Sequence, residues 1–573
     1  MAAACLSAPA QSTTDAAKPE TVATPLPSAQ QPPLTLAQQI AALLADPAVA
    51  RAHWGVMVTT IDGKPLYALN EAQLFQPASN AKLFTTAAAM ALLGPERTFQ
   101  TKVIAEGTMA ADGILHGDLL LRGGGDANFA SALFPYLSPS QRPAKDSQVS
   151  PSPLAAIDEL ADQVVAKGLK IVDGDVVGDD SYYAMNPYPQ GWAGDDLLWG
   201  YAAPVSALTI HDNQIDVTIT PVSATKDSMS ADIRLSPDLP YYTGVRRVDT
   251  RDDFGINSVL FERAPGSKDL SIFGSVATKL GPVHEEIAIE SPAEYAALAL
   301  KVALEKRGVQ VRGKVKTSHW DLGDSALFLP KTMAPIPNYH PELRNIPGFP
   351  LSSALGQSSD LENLMNSKNT ECSYLHVGGP QKPRTELAMH ISPPVAEDVL
   401  LTNKLSQNLH AEIMIRNIAN TKDCMPQAAN GVQWMRHFLY YAGIDKDDFV
   451  FYDGSGLSAY DLVTPRAVAK LLSFAAHDPK TGAPQPWFAE WKASLPIGGV
   501  DGTLADRFTA PPLKGHVFAK TGTLGEANAL SGYLDCASGQ TVIFSILVDH
   551  HLPGDSADRD AMDKIVAAIA AAE

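Results

Sequence analysis

The stretch QPASNAKLFTTAAAMALLG, residues 76–94, is the strongest indication of how this chain folds. Asn80 to Leu93 are mostly good helix formers, and Gly94 with the proline that follows it ends the predicted helix. Because its apolar residues point to nearly all sides, we expect this helix to be buried inside a domain.

Ser79 and Lys82 stand one helical turn apart at the amino end of this helix, so the Lys82 amine can reach the Ser79 hydroxyl. A serine hydroxyl is a poor nucleophile until a base takes its proton, and a lysine desolvated in an apolar helix can be that base. The helix start also favours a nearby developing anion. Alone, the pair is more commonly a serine that caps a helix and a solvated lysine.

Lys520, Thr521, Gly522 and Thr523 lie on a predicted strand that ends before a turn at Gly525. Lys520 would attract a carboxylate, Thr521 could hydrogen-bond it, and Gly522 would let a substrate approach closely. Beside a serine nucleophile, such a strand also offers backbone N–H groups. Alone, these residues are typical of an edge strand that carries a lysine.

Ser406 and Asn408 fall in the gap between two predicted helices, Val395 to Lys404 and Leu409 to Ile418. The Ser406 hydroxyl could relay a proton, and the Asn408 amide could hold a substrate amide. Taken alone, these residues are more commonly a cap for the second helix.

The two ends of the chain carry the elements of one α/β domain, whereas the middle is β-rich. The elements predicted at the ends are a helix with a Thr35–Gln38 capping box, a hairpin from Trp54 to Leu69, strands at 516–523, 529–534 and 541–548, and a closing helix from about Asp558 to Ala572. The predicted boundaries are 34–97 and 388–573 for the two parts of the α/β domain and 98–387 for the inserted β-rich domains.

The first residues predict export. Residues 1–10 end in the A-x-A pattern and are interpreted as the remnant of a signal peptide, and residues 11–33 have the composition of a disordered spacer. We therefore expect a periplasmic or otherwise exported protein.

The composition excludes several classes of function. Lys and Arg number 44 against 63 Asp and Glu, a net charge of −19, which argues against nucleic-acid binding. No run of eighteen apolar residues predicts a transmembrane helix. We expect no metal and no cofactor, because the four cysteines form no CxxC pair and there is no HExxH motif. Cys372 and Cys424 bracket Ser406 and could form a disulfide or remain two free thiols.

Together, and in this order, SxxK, SxN and KTG are the active-site motifs of the penicillin-recognising serine enzymes. The sequence resembles the class C low-molecular-mass penicillin-binding proteins, the D-alanyl-D-alanine carboxypeptidase/endopeptidase family. The matching stretches are PASNAKLFTTAAA at 77–89, GDLLLRGGGD at 117–126, GDVVGDDSYY at 174–183, YAAPVSAL at 201–208, SPPVAEDVLLTNKLSQNLHAE at 392–412, DGSGLS at 453–458, LPIGGVDGTL at 495–504 and AKTGTL at 519–524.

The resemblance implies an α/β (α+β) fold. A transpeptidase/β-lactamase-like domain, with an antiparallel sheet flanked by helices, would be interrupted after the SxxK helix by a large β-rich insertion of two domains. The split between the ends and the middle of this chain agrees with that arrangement.

The resemblance also implies a role for each motif residue. Ser79 would be the acylated nucleophile, with Lys82 as its general base. Ser406 would pass a proton to the departing D-alanine, and Asn408 would hold the substrate amide. Lys520 and Thr521, next to Gly522, would bind the terminal carboxylate.

The backbone N–H groups of Ser79 and Thr523 would then form the oxyanion hole. DGSGLS lacks the spacing of a nucleophile motif and is interpreted as structural support near the site.

The activity so implied is that of a serine D-Ala-D-Ala carboxypeptidase acting on peptidoglycan stem peptides through an acyl-enzyme, with DD-endopeptidase cleavage of cross-links as a second reaction. β-Lactams would be covalent inhibitors. A β-lactamase shares all three motifs, but it needs no insertion of nearly 300 residues. A non-catalytic penicillin-binding scaffold is the other alternative, and the intact Ser79, Lys82, Ser406 and Lys520 argue against it.

Overall fold

The computed structural model describes most of the chain, namely residues 34–131, 133–142, 152–222, 230–252, 255–320, 382–423, 428–552 and 556–573. Three expectations lie outside these ranges: the signal-peptide remnant at 1–10, the spacer at 11–33 and the pairing of Cys372 with Cys424.

The elements follow one another in three groups. The first group is α1 (Leu36–Leu44), β1 (His53–Thr60), β2 (Pro65–Leu69) and α2 (Ala81–Leu92). The second group is β3 (Gln100–Met109), β4 (Ile114–Arg122), α3 (Ala155–Ala166), β5 (Ile171–Val172), β6 (Val176–Ala184), β7 (Gln214–Thr220), β8 (Asp232–Ser236), β9 (Arg246–Arg251), β10 (Ser258–Glu262), β11 (Ser271–Ala277), β12 (Val283–Ala288), α4 (Pro292–Lys306), β13 (Gln310–Val311), β14 (Val315–Trp320) and β15 (Arg384–Ile391).

The third group is α5 (Val395–Leu405), α6 (Asn408–Asp423), α7 (Ala428–Tyr441), β16 (Phe449–Val450), β17 (Leu462–Val463), α8 (Pro465–Ala476), α9 (Phe488–Ser494), β18 (Val517–Leu524), β19 (Ala527–Asp535), β20 (Thr541–Asp549) and α10 (Ala557–Ala572).

A five-stranded antiparallel sheet joins the first and third groups, in the order β18-β19-β20-β1-β2. Strand β1 pairs with β20 along its whole length, from His53 opposite Asp549 to Thr60 opposite Val542. The two ends of the chain therefore form one sheet, as the sequence predicts.

Both faces of this sheet are covered, because successive side chains of a strand point to opposite faces. From β19, Ala529 and Tyr533 enter the core that contains α2 and α8, whereas Leu530 and Leu534 enter the core that contains α10. This explains why β19 and β20 are buried almost throughout rather than on alternate residues.

Helix α2 lies inside the first of these cores, with Ala91 the one residue of the helix that is exposed. The burial predicted from its apolar residues is thus observed. It leaves Lys82, in the first turn of the helix, fully buried.

The inserted region is β-rich but also contains the helices α3 and α4, which pack against each other. Its largest sheet has the order β13-β5-β4-β3-β15 with β6 and β14 attached, and two three-stranded sheets have the orders β10-β11-β9 and β12-β7-β8. Strand β15 pairs with β3 and crosses the boundary predicted between 387 and 388, so the sheet of the insertion extends to Ile391.

Among the described residues, no helix is both long enough and apolar enough to cross a membrane.

Candidate active site

Ser79 lies in a short 3-10 helix, Ala78–Asn80, that leads directly into α2. The N-cap of α2 is Asn80, and no side chain caps it. The Ser79 Oγ instead lies 2.8 Å from the Lys82 Nζ. Ser79 is thus not the helix cap that its position alone suggests, and the predicted contact between hydroxyl and amine is present.

The Lys82 amine is fully buried and has three polar neighbours. Besides the Ser79 Oγ, these are the Asn408 Oδ1 at 2.6 Å and the Ser455 carbonyl oxygen at 2.7 Å. The last two can only accept hydrogen bonds, so they take both N–H groups of a neutral amine. The remaining lone pair then faces the Ser79 hydroxyl, which is the geometry that a general base needs.

Burial lowers the pKa of Lys82 to about 7, and the charges of Asp453 and Glu412 oppose that shift without cancelling it. Desolvation disfavours the ammonium form because the interior solvates a charge poorly. About half of the amine is therefore neutral at neutral pH, whereas a lysine in water is almost entirely protonated.

Ser406 follows α5 with a left-handed backbone, φ 61° and ψ 36°. Such a conformation is costly for a residue with a side chain and is found mostly where function requires it. Its hydroxyl accepts a hydrogen bond of 2.8 Å from the Lys520 Nζ, which also donates to the Thr521 carbonyl oxygen at 2.9 Å.

Lys520 is fully buried on β18. Burial, and then the charge of Lys82, hold the pKa of Lys520 well below its usual value. A bound carboxylate would reverse this shift, since an opposite charge nearby favours the ammonium form.

Asn408 begins α6 and connects Lys82 to the inserted region. Its Oδ1 accepts from Lys82, and its Nδ2 donates a hydrogen bond of 2.8 Å to the Tyr201 carbonyl oxygen. The second Nδ2 proton is left for another acceptor. The insertion therefore forms part of the wall of this site.

Gly522 brings β18 against the segment that carries Ser79. A Cβ atom at position 522 would lie 2.8 Å from the Pro77 carbonyl oxygen and 3.0 Å from the Ser79 nitrogen, so a side chain does not fit. On either side of it, the Thr521 Oγ1 lies 2.7 Å from the Thr503 Oγ1, and the Thr523 hydroxyl donates to Asn528 at 2.6 Å.

Two buried carboxylates fix the DGSGLS loop beside Lys82. Glu412 Oε1 accepts hydrogen bonds from the N–H groups of Gly454 at 2.7 Å and Ser455 at 2.9 Å. Asp453 accepts from the Gly456 N–H at 2.7 Å and, from the insertion, the Trp192 indole N–H at 2.8 Å. These contacts hold the Ser455 carbonyl toward Lys82, so the loop supports the site through its backbone.

The structure brings six of the eight predicted residues into two hydrogen-bonded groups and places the other two on the strand beside Ser79. Ser79, Lys82 and Asn408 form one group, and Ser406, Lys520 and Thr521 form the other; Gly522 and Thr523 continue the strand beside Ser79.

Sequence reasoning missed the Ser455 and Tyr201 carbonyls and the Thr503 hydroxyl. Backbone carbonyls carry no residue-type signal. Thr503, however, lies in the stretch LPIGGVDGTL, whose resemblance to the family could have drawn attention to it.

The chain is similar to several known proteins. The sequence model of the D-Ala-D-Ala carboxypeptidase 3 (S13) family matches residues 36–339 and 373–572. The D-alanyl-D-alanine carboxypeptidase of Actinomadura sp. (strain R39) is 30% identical over 536 residues, covering 92% of this chain and 83% of that protein. D-alanyl-D-alanine carboxypeptidase DacB of Haemophilus influenzae is 23% identical, covering 83% of this chain and 81% of that protein.

The fold is also shared with a solved structure. The crystal structure of penicillin binding protein 4 (dacB) from Haemophilus influenzae matches with a TM-score of 0.67 and 21% identity, covering 92% of this chain and 97% of that one. The resemblance to the class C penicillin-binding proteins and the mixed α/β fold are thereby confirmed. The chain belongs to the D-Ala-D-Ala carboxypeptidase 3 (S13) family.

Proposed function

We propose that this protein is a serine D-Ala-D-Ala carboxypeptidase that removes the terminal D-alanine of peptidoglycan stem peptides through an acyl-enzyme at Ser79. The observation that carries the proposal is the buried Lys82 amine, 2.8 Å from the Ser79 Oγ, with acceptors at its two other hydrogen-bonding positions. Family membership supports the reaction, and this contact supports the choice of nucleophile and base.

In the first step, the Ser79 Oγ attacks the carbonyl carbon of the penultimate D-alanine while its proton moves to the Lys82 Nζ. The carbonyl oxygen becomes an oxyanion, which the N–H groups of Ser79 and Thr523 stabilise at the amino end of α2 and the edge of β18. The C–N bond then breaks, and the proton passes from Lys82 by way of Ser406 to the nitrogen of the departing D-alanine.

The second step repeats the first with water. Lys82, neutral again, takes a proton from water as its oxygen attacks the acyl carbon, and the bond to the Ser79 Oγ breaks as that oxygen regains a proton. Lys520 and Thr521 bind the substrate's terminal carboxylate, and the remaining Nδ2 proton of Asn408 binds its amide carbonyl.

β-Lactams would acylate the same serine. A β-lactam complex is known for penicillin binding protein 4 (dacB) from Haemophilus influenzae. An enzyme that acts on peptidoglycan has to be exported, which agrees with the signal-peptide pattern of residues 1–10. Cleavage of cross-links would need the same chemistry with a larger leaving group.

The test is intact-protein mass spectrometry after mixing with benzylpenicillin, with release of D-alanine from a stem pentapeptide measured in parallel. We expect one long-lived adduct in the wild type and none in Ser79→Ala. Ser538→Ala, which changes an exposed serine in the turn between β19 and β20, is the matched control and should be labelled like the wild type.

Three outcomes would refute the proposal. Labelling of Ser79→Ala would show that the nucleophile is elsewhere. Rapid loss of the adduct with consumption of penicillin would indicate a β-lactamase. Absence of both an adduct and D-alanine release would indicate a non-catalytic scaffold.

A further inference from the structure

The inserted region reaches the cleft a second time, at the end where Thr521 lies. The contact comes from segment 133–142, whose Tyr136 hydroxyl oxygen accepts a hydrogen bond of 3.0 Å from the Gly502 N–H. None of the family motifs includes Tyr136, and none of the catalytic steps above uses it.

The loop that Tyr136 contacts, within residues 495–504, is rigidly held. The Lys404 Nζ, almost fully buried, donates to the Leu495 carbonyl oxygen at 2.6 Å and to Asp501 at 2.8 Å. Asp501 in turn accepts from the Ile497 N–H at 2.9 Å. A buried ion pair with all these partners satisfied tolerates little movement, so the loop is a fixed surface rather than a mobile one.

This loop also sets the distance between Tyr136 and the carboxylate site. Gly502 has a φ of 59°, and a Cβ atom there would lie 2.9 Å from the Lys404 carbonyl oxygen, so the backbone is pressed against α5. The next residue, Thr503, has its hydroxyl 2.7 Å from that of Thr521. Tyr136 is therefore bonded to the residue that precedes Thr503, whose hydroxyl together with that of Thr521 would receive the substrate's terminal carboxylate.

The Tyr136 side chain is suited to act as an uncharged wall. It is partly buried, and burial together with the charge of Asp501 raises the pKa of its phenol above the usual value. The phenol thus stays neutral while its oxygen accepts from the Gly502 N–H, and this hydrogen bond ties the partly buried side chain to the loop.

We propose that Tyr136 closes the leaving-group end of the cleft, so that the site favours D-alanine over the longer leaving groups of cross-linked peptides. This inference rests on the proposed function. When a cross-link is cut, the departing residue keeps a free carboxylate but carries the rest of a second peptide on its side chain, and that chain has to leave the cleft beside the carboxylate site. D-Alanine has only a methyl group as its side chain and needs no such exit.

The experiment compares kcat/KM for two substrates: a stem pentapeptide ending in D-Ala-D-Ala and a purified cross-linked muropeptide dimer. We expect Tyr136→Ala to raise the ratio of dimer cleavage to D-alanine release about tenfold, a common scale for removing steric exclusion from a pocket. Tyr136→Phe keeps the ring and should keep the wild-type ratio. An unchanged ratio in Tyr136→Ala would overturn the proposal, and so would an equal loss of both activities, which would indicate a purely structural role.

Benzylpenicillin separates a failure of this inference from a failure of the proposed function. It extends little beyond its carboxylate, so its rate of acylation should be similar in the wild type and both variants, and this also reports correct folding. If the variants are acylated normally and the ratio does not move, the role of Tyr136 is wrong and the proposed function stands. If the wild type neither forms the adduct nor releases D-alanine, both fall.

Discussion

The rate of acylation by benzylpenicillin should depend on pH through Lys82. As a general base, Lys82 acts only in its neutral form, and its pKa is lowered to about 7. The second-order rate constant should therefore rise about tenfold per pH unit below pH 6 and level off above pH 8. Glu412, whose pKa burial raises to about 7, titrates over the same range, so the observed midpoint belongs to both groups.

The size of the effect follows from the fraction of neutral amine. With a pKa of about 7, roughly 1% of Lys82 is neutral at pH 5 and roughly half at pH 7, a ratio of about 50. With the ordinary value of 10.5, only about 0.03% would be neutral at pH 7. Burial thus makes the reactive form about a thousand times more abundant at neutral pH.

The assay is stopped-flow or quenched acylation from pH 5 to pH 9, followed by adduct mass. Lys82→Gln removes the base but keeps a polar side chain, and we expect its residual rate to be at least about a hundredfold lower at pH 7. Lys167→Gln changes an exposed lysine after α3 and serves as the control, with the wild-type profile unchanged.

Two results would refute this reasoning. A wild-type rate that keeps rising to pH 9 or beyond would mean that Lys82 retains an ordinary pKa. A pH profile that survives in Lys82→Gln would mean that another group takes the serine proton.

Two further predictions concern stability and backbone strain. His410 is fully buried, with its two ring nitrogens 2.6 Å from Asp398 and 2.9 Å from Asp212. His410→Gln should therefore lower the free energy of unfolding, measured with denaturant at pH 7, by about 3–5 kcal/mol. His116 is exposed, so His116→Gln should lower it by less than about 1 kcal/mol, and equal losses in the two variants would contradict the prediction. Ser406→Gly and Ser406→Ala should lose acylation alike. The Gly variant should be about 1 kcal/mol more stable than the Ala variant, because glycine adopts the left-handed backbone of this position without steric cost. Equal stabilities of the two variants would show that the backbone relaxes.

Periodicity predicts the elements around the site because each of them buries a repeating apolar pattern. The capping box of α1, the hairpin of β1 and β2, the buried helix α2 and the strands β18 to β20 are all found close to their predicted positions. The SxxK contact was predictable for the same reason, since residues three apart on a helix are neighbours.

Contacts between distant segments were not predictable. The Ser455 and Tyr201 carbonyls reach Lys82 and Asn408 from a loop and from the insertion, and any residue type has a carbonyl. The left-handed backbone of Ser406 depends on how α5 and α6 meet, not on the serine itself. The course of β15 through position 388 was missed because its partner β3 lies more than 270 residues earlier in the chain.

The pairing of β1 with β20 also constrains how the protein can be made. During synthesis and export alike the chain appears amino end first, so β1, β2 and α2 lack their partners in the third group until β18 to β20 have followed. The insertion has its own core and can fold during that wait. Lys520, on β18, joins Ser406 only at the end. An enzyme that cuts cell-wall peptides therefore cannot assemble its cleft until nearly the whole chain has reached the compartment where it folds.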